Sequence, residues 1–89
     1  MNHDCKLLEF RAAFVYDYDT NKYSEILKAK GIKNTFEIRR TLPIKKYEVW
    51  VNLHKLTTYE NEFEAIEYAN DYNEKDFYIF VDVVKNWKN

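Results

Sequence analysis

The stretch FYIFVDVV, residues 77–84, decides the fold because it carries large apolar residues at both odd and even positions. A strand with apolar residues on both faces is typical of the centre of a sheet, where both sides are covered. We therefore predict that residues 77–84 form the last, central strand of the domain. The residues before it must then supply the other strands and the covering helices.

The apolar residues near the N-terminus alternate along the chain. Between residues 8 and 18 they occupy every even position, which predicts a first strand with one core face. Residues 36–42 and 47–53 alternate in the same way and predict two more strands that turn near Pro43, since proline has no amide hydrogen for a ladder. A short extra strand is predicted at residues 56–58.

Two helices are predicted between these strands. Asp19 or Thr20 can cap a helix over about residues 21–30, and Gly31 offers a left-handed stop. Asn61 and the glutamate three residues later have the form of a capping box. The apolar residues that follow predict an amphipathic helix to about residue 72.

The predicted order of elements is β, α, β, β, α, β. This is the split βαβ or ferredoxin-like pattern, a small α+β two-layer sandwich with an antiparallel sheet and both helices on one face. The main competitor is an α+β sheet in which residues 47–58 form an independent hairpin before the second helix and the last strand. We predict a single domain over residues 1–89, with a frayed N-terminus at 1–6 and a C-terminal tail at 85–89.

Composition limits the class of protein. The chain is 46% apolar and 33% charged, with eight Tyr, six Phe and two Trp, which favours a compact domain over a disordered chain. A single cysteine, Cys5, excludes an internal disulfide and any zinc site that needs two cysteines. The N-terminus resembles no secretion signal, and no apolar run approaches the ~20 residues of a membrane span. We therefore expect a cytoplasmic protein without a membrane partner.

The sheet face that the predicted helices leave uncovered is the first candidate surface. In this fold its middle is apolar and aromatic, and such patches usually mark contact surfaces. We predict that its partner-binding residues are Val15, Trp50, Tyr78, Phe80 and Val84. In the alternative interpretation, the C-terminal tail with Trp87 or a misassigned strand covers the patch, which is then only core.

Charge is the second candidate feature. Residues 28–46 hold seven Lys and Arg against one Glu, whereas residues 60–76 hold seven Asp and Glu against one Lys. The predicted basic surface consists of Arg39, Arg40, Lys45 and Lys46. Either the two oppositely charged segments lie side by side, or the basic surface binds an acidic partner or nucleic acid. An RNA-recognition module is disfavoured because the run at 45–50, KKYEVW, lacks the glycine of that motif.

Asp17, Asp19 and Asn21 alternate like the opening of a calcium loop. Lysines occupy the sixth and twelfth positions, where such a loop needs Gly and Glu, so calcium is excluded. A Tyr-Asp pair at the end of a first strand is superficially similar to the small ferredoxin-fold dimeric nucleases of CRISPR adaptation. That similarity covers one dipeptide and the predicted topology, and it implies magnesium at Asp17. From the residues themselves we predict no metal, no cofactor and no catalytic residues.

The functional expectation is therefore a small non-catalytic domain that binds a protein partner or a second copy of itself through the uncovered sheet face. The bias toward Lys, Asn, Tyr, Ile and Glu fits an AT-rich bacterial or phage genome, in which such domains often inhibit or adapt host proteins. The alternative is a nucleic-acid-binding or metal-dependent nuclease subunit that uses the basic 28–46 segment and Asp17.

Overall fold

Five strands and one helix form within residues 6–87, which the computed structural model describes except for the side chains of Val83, Val84, Asn86 and Trp87. The strands are β1 (Arg11–Asp17), β2 (Lys22–Lys30), β3 (Thr35–Arg40), β4 (Tyr47–Val51) and β5 (His54–Tyr59), and the helix is α1 (Glu62–Trp87). The strands are antiparallel and lie in the sheet in chain order. The domain is a five-stranded meander followed by one helix.

The predicted ferredoxin-like βαββαβ fold is therefore wrong, and it fails in two places. Residues 22–30, predicted as the first helix, form strand β2. Residues 77–84, predicted as the central strand, lie inside α1. The short strand predicted at 56–58 is present as the longer β5, which forms a hairpin with β4 as in the competing interpretation.

The first error arises at the turn after β1. Asp17 Oδ1 accepts a hydrogen bond from the Asp19 amide at 2.9 Å, and Asn21 has a positive φ of 55°. These features reverse the chain, so Asp19 is a turn residue and not a helix cap. All seven residues of β1 then pair with β2, from Arg11 opposite Lys28 to Asp17 opposite Lys22. This ladder outweighs a helical pattern only about ten residues long.

The second error arises because nothing ends α1 at residue 72. Asn61 Oδ1 accepts a hydrogen bond from the Glu64 amide at 2.8 Å, which confirms the predicted cap. No Gly or Pro follows between residues 62 and 87, so the helix continues through the apolar stretch. An apolar run of eight residues fits a buried strand and a helix segment equally well by periodicity.

The core lies between α1 and strands β3, β4 and β5. Its buried residues come from alternate strand positions and from one side of the helix: Phe36, Ile38, Val49, Val51, Ala65 and Ala69. The two alanines are 0% exposed and allow the helix backbone to lie close to the sheet. Leu8 and Phe10 of the N-terminal segment pack against the same core.

The molecule extends beyond this core at both ends. Strand β2 pairs with β3 only over residues 27–30, so the rest of the β1–β2 hairpin projects past β3. At the opposite end α1 continues for eleven residues after Asp76, about 16 Å at 1.5 Å per residue. The radius of gyration is accordingly 15.3 Å, against about 12 Å for a compact domain of this length. Of the predicted frayed terminus, residues 1–5 lie outside the described residues, as do 88–89 of the predicted C-terminal tail.

Candidate functional site

A cleft opens where the β1–β2 hairpin separates from β3. It has a volume of about 540 Å³. Five of the residues that the sequence singles out line this cleft together: Val15, Asp17, Arg39, Arg40 and Trp50. Some of the predicted partner-binding residues and some of the predicted basic residues thus line the same cleft, together with the buried Ile26.

The wall of the cleft on β3 and β4 is a polar network. The Arg39 guanidinium lies 3.9 Å from the centroid of the Trp50 ring. Arg39 also ion-pairs with Glu37 at 2.6 Å, and Glu37 is only 3% exposed. The Trp50 Nε1 donates to Glu48 at 3.1 Å, and Glu48 lies 3.5 Å from the Lys55 ammonium. Arg39 and Trp50 are therefore engaged within the chain and hold the sheet face together.

The four residues of the predicted basic surface do not form one surface. Arg39 lies on the face opposite the helix, whereas Arg40 lies opposite Tyr47, whose position alternates with that of Glu48. Lys45 and Lys46 belong to the loop between β3 and β4, where Thr41 and Lys46 are joined by a backbone hydrogen bond of 2.8 Å. The cation-rich surface is instead the sheet face opposite the helix, where exposed basic residues alternate with the core positions: Arg11, Lys22, Lys28, Lys30 and Lys55.

Tyr78 and Phe80 lie on the helix, whereas Val15 and Trp50 lie in the sheet. The prediction that these residues share a sheet face is wrong, because Tyr78 and Phe80 belong to α1. Tyr78 is 52% exposed, Ile79 is 63% exposed and Phe80 is 56% exposed. Val84 also lies in α1, and its side chain is outside the described part of the chain. We call residues 77–82 the helix end.

The helix end adjoins an apolar groove. Leu7, Leu8, Ile32 and Phe77 line this groove, which lies between the N-terminal segment, the β2–β3 turn and α1. Leu7 is 77% exposed and Ile32 is 48% exposed. Asp76, one residue before the helix end, accepts a hydrogen bond from Asn34 of the same turn. The β2–β3 turn therefore holds α1 at Asp76, and the side chains of Tyr78, Ile79 and Phe80 in the following turn of helix are exposed.

Sequence reasoning missed the exposed aromatic residues of the hairpin. Phe14 is on the helix side of the sheet by register, as predicted, yet it is 67% exposed because α1 packs on β3, β4 and β5. Tyr18 and Tyr23 are 84 and 71% exposed. In the predicted fold residues 21–30 form a helix against the sheet, and that helix would have covered Phe14.

Asp17 and its neighbours serve the hairpin turn. In addition to the Asp17 to Asp19 hydrogen bond, the Tyr16 hydroxyl donates to Asn21 Oδ1 at 3.0 Å. Among residues 6–87 no group of three or more His, Cys, Asp or Glu side chains is placed to hold a metal ion. Within the same range, α1 is not apolar enough over a sufficient length to cross a membrane.

Comparison with known proteins gives no relative: no protein-family model, no curated protein and no solved structure matches this chain.

Proposed function

We propose that this protein is a non-catalytic binding domain that inserts its helix end into an apolar groove of a partner protein. The observation that carries the proposal is the exposure of Tyr78, Ile79 and Phe80 on the part of α1 that follows its hydrogen bond to the β2–β3 turn at Asp76. Three consecutive helical residues point in directions about 100° apart, so a flat partner surface could not cover all three. A helix that is apolar on several sides is normally buried.

The size of this surface fits a recognition element. Aromatic and large aliphatic side chains that are half exposed offer on the order of 300 Å² in total, the scale of the largest apolar patch on a typical monomer. Such patches are frequently functional, and helix-in-groove binding buries apolar residues spaced along one helix. The exposed acidic residues earlier in the helix, such as Glu67, Asp71 and Glu74, would lie at the rim of the contact.

The experiment that tests this proposal compares two substitutions on the same helix. Phe80→Lys places a charge on the helix end, while Phe63→Lys places the same charge at the other end of α1, where Phe63 is 74% exposed. Immobilised wild type and Phe63→Lys should retain the same partner from a bacterial lysate, and Phe80→Lys should not. Equal retention by Phe80→Lys, or no retained partner with wild type, would contradict the proposal.

Nucleic-acid binding is the second candidate, and one observation favours it. Exposed Lys22, Lys28, Lys30 and Lys55 lie on the sheet face opposite the helix, whereas α1 carries seven of the fifteen acidic residues. Basic faces of this kind bind phosphates with a strong dependence on salt. Glu37 and Glu48 in the middle of the face act against such binding, since they are negatively charged.

A test of nucleic-acid binding reverses the charges of Lys28 and Lys30. Reversing Arg39 would instead disrupt the buried ion pair with Glu37 and so test stability. Wild type should bind labelled oligonucleotides at low salt. Nucleic-acid binding by the sheet face is supported if the double variant Lys28→Glu with Lys30→Glu loses this binding and the double variant Lys45→Glu with Lys46→Glu keeps it. No retention of wild type at low salt would rule out this function.

A further inference from the structure

We propose that two copies of this chain pair through the free edges of their β1 strands and form one ten-stranded antiparallel sheet. Strand β1 is at the end of the strand order, so one side of its backbone has no neighbouring strand among the described residues. A free strand edge presents a row of unpaired N–H and C=O groups to any other strand. The inference goes beyond the proposed function, because it concerns a different surface and a different partner.

The two edges of the sheet differ in how they are protected. At β5 the ladder is irregular beside Val49 and Trp50, and Lys55 lies within the strand. Bulges and lysines are two of the devices that keep sheet edges from pairing. Strand β1 has seven residues with neither Gly nor Pro, and the five between Arg11 and Asp17 are uncharged. It therefore lacks the features that block pairing.

The sequence of β1 is complementary to itself when two copies run antiparallel. Pairing keeps each sheet face continuous only if residues of the same parity lie opposite each other, because side chains alternate between faces. The register centred on Phe14 uses all seven residues of the strand. It places Arg11 opposite Asp17 of the second copy, and Asp17 opposite Arg11, which gives two pairs of opposite charge.

The uncharged positions are also complementary in this register. Ala12 lies opposite Tyr16 of the second copy, so that a small residue faces a large one, and Ala13 lies opposite Val15. The two Phe14 rings, each 67% exposed in the single chain, meet at the two-fold axis on the side of the sheet that carries the helices. A register centred on Ala13 loses this match, because it places Asp17 opposite Glu9 of the second copy.

The charges at both ends of β1 are available for this contact. Arg11 lies 3.7 Å from Glu9, but both side chains are 84% exposed, and exposed pairs of this kind are weak. Asp17 uses Oδ1 for the hydrogen bond from the Asp19 amide, which fixes its position at the end of the strand. Tyr16 is held by edge-to-face contacts with Tyr18 and Tyr23, at centroid distances of 4.9 and 5.0 Å.

Sedimentation of the purified chain over a range of concentrations tests the pairing. Wild type should be a dimer, and Phe14→Lys should be a monomer because it places two lysines opposite each other at the axis. Phe63→Lys adds the same charge at a 74% exposed residue of α1, a helix that does not contact β1 within residues 6–87, and it should leave the dimer intact. A wild-type monomer at every concentration, or a dimer that Phe14→Lys does not weaken, would overturn the proposal.

A charge exchange provides a second test that does not depend on Phe14. Arg11→Asp and Asp17→Arg should each raise the dimer dissociation constant about tenfold or more, since each places like charges in both pairs. The double variant restores opposite charges and should restore most of the dimer. Within the chain it makes the charges at positions 11 and 28 opposite and those at positions 17 and 22 alike, so the number of like-charge pairs does not change. Additive weakening in the double variant would exclude this register, and a dimer lost only with Phe80→Lys would assign self-association to the helix end.

Discussion

The guanidinium of Arg39 stacks on the indole of Trp50 while it ion-pairs with the buried carboxylate of Glu37. Both contacts lie on the sheet face opposite α1, which has no helix to cover it. The Arg39 side chain thus covers part of an aromatic ring and balances a charge that water reaches poorly. An arginine at this position serves two structural purposes, and a lysine can meet only one of them.

We predict that Arg39→Met destabilises the fold by about 2–4 kcal/mol, since it leaves Glu37 buried without its partner. Changing both residues, Arg39→Met with Glu37→Leu, should cost less than the single change because no uncompensated charge remains. Urea denaturation of the wild type and the two variants measures the difference. If the double variant is less stable than Arg39→Met, the ion pair is not the reason for the loss.

The Asn73 side chain connects α1 to the β2–β3 turn through a hydrogen bond. It is 3% exposed, and its Oδ1 accepts a hydrogen bond from the Ile32 amide at 2.9 Å. Asn73→Ala should therefore cost about 1–3 kcal/mol, because a partly buried amide loses its acceptor. Asp71→Ala, an exposed change two residues away on the same helix, is the control and should shift the urea midpoint little. Similar losses in both variants would indicate a general effect on the helix.

The same turn explains why the single glycine of the chain is at position 31. A Cβ on Gly31 would overlap Asn73 Oδ1 and lie 2.7 Å from the Phe36 ring. The sequence predicts that Gly31 ends a helix in a left-handed conformation, which is wrong: Gly31 follows strand β2 and its φ is not positive. Asn73 is more than forty residues from Gly31 in the chain, so no local sequence pattern could reveal that the two residues are close in the structure.

Small residues on α1 set the distance between the helix and the sheet. Ala69 is 0% exposed and belongs to the same buried cluster as Phe36 and Val49. Ala69→Leu should destabilise the fold by about 1–3 kcal/mol, since the added carbons have no space in a packed core. Glu67→Leu changes an exposed position of the same helix and should be within about 0.5 kcal/mol of wild type. Equal thermal midpoints for Ala69→Leu and wild type would show that the helix can move away from the sheet at little cost.

The local patterns predict most elements of this fold, and the errors concern how the elements combine. Alternation identifies β1, β3 and β4, and the Asn61 cap locates the start of α1. The strand β2 depends on a turn whose key feature, the left-handed Asn21, is a weak signal in sequence. The apolar stretch at 77–84 fits two structures equally, and only the absence of a helix stop before it distinguishes them.

The errors in the predicted fold also affect the predicted site residues. Val15 and Trp50 lie on the face opposite the helix because their strands were assigned correctly. The prediction that Tyr78 and Phe80 lie on that face rests on the strand at 77–84, which is wrong. After Phe63 they are nevertheless the most exposed aromatic residues among the described side chains of α1. Their apolar character is visible in the sequence, but their exposure depends on where the sheet ends. The position at which the sheet ends is set by the length and pairing of its strands, and composition does not report either of these.

The β4–β5 turn offers a stabilising change. Asn52 and Leu53 are its two central residues, with φ values of 50° and 69°, and this conformation suits Asn at the first position and Gly at the second. Leu53 is 68% exposed, so its side chain contributes little packing while its backbone is strained. Leu53→Gly should therefore raise the free energy of unfolding by about 1 kcal/mol, equivalent to roughly 4–8 °C in Tm for a domain of this size. Leu53→Ala keeps a Cβ and is the matched control, for which we expect no gain. If Leu53→Gly lowers Tm, the leucine side chain contributes packing that outweighs the strain of its positive φ.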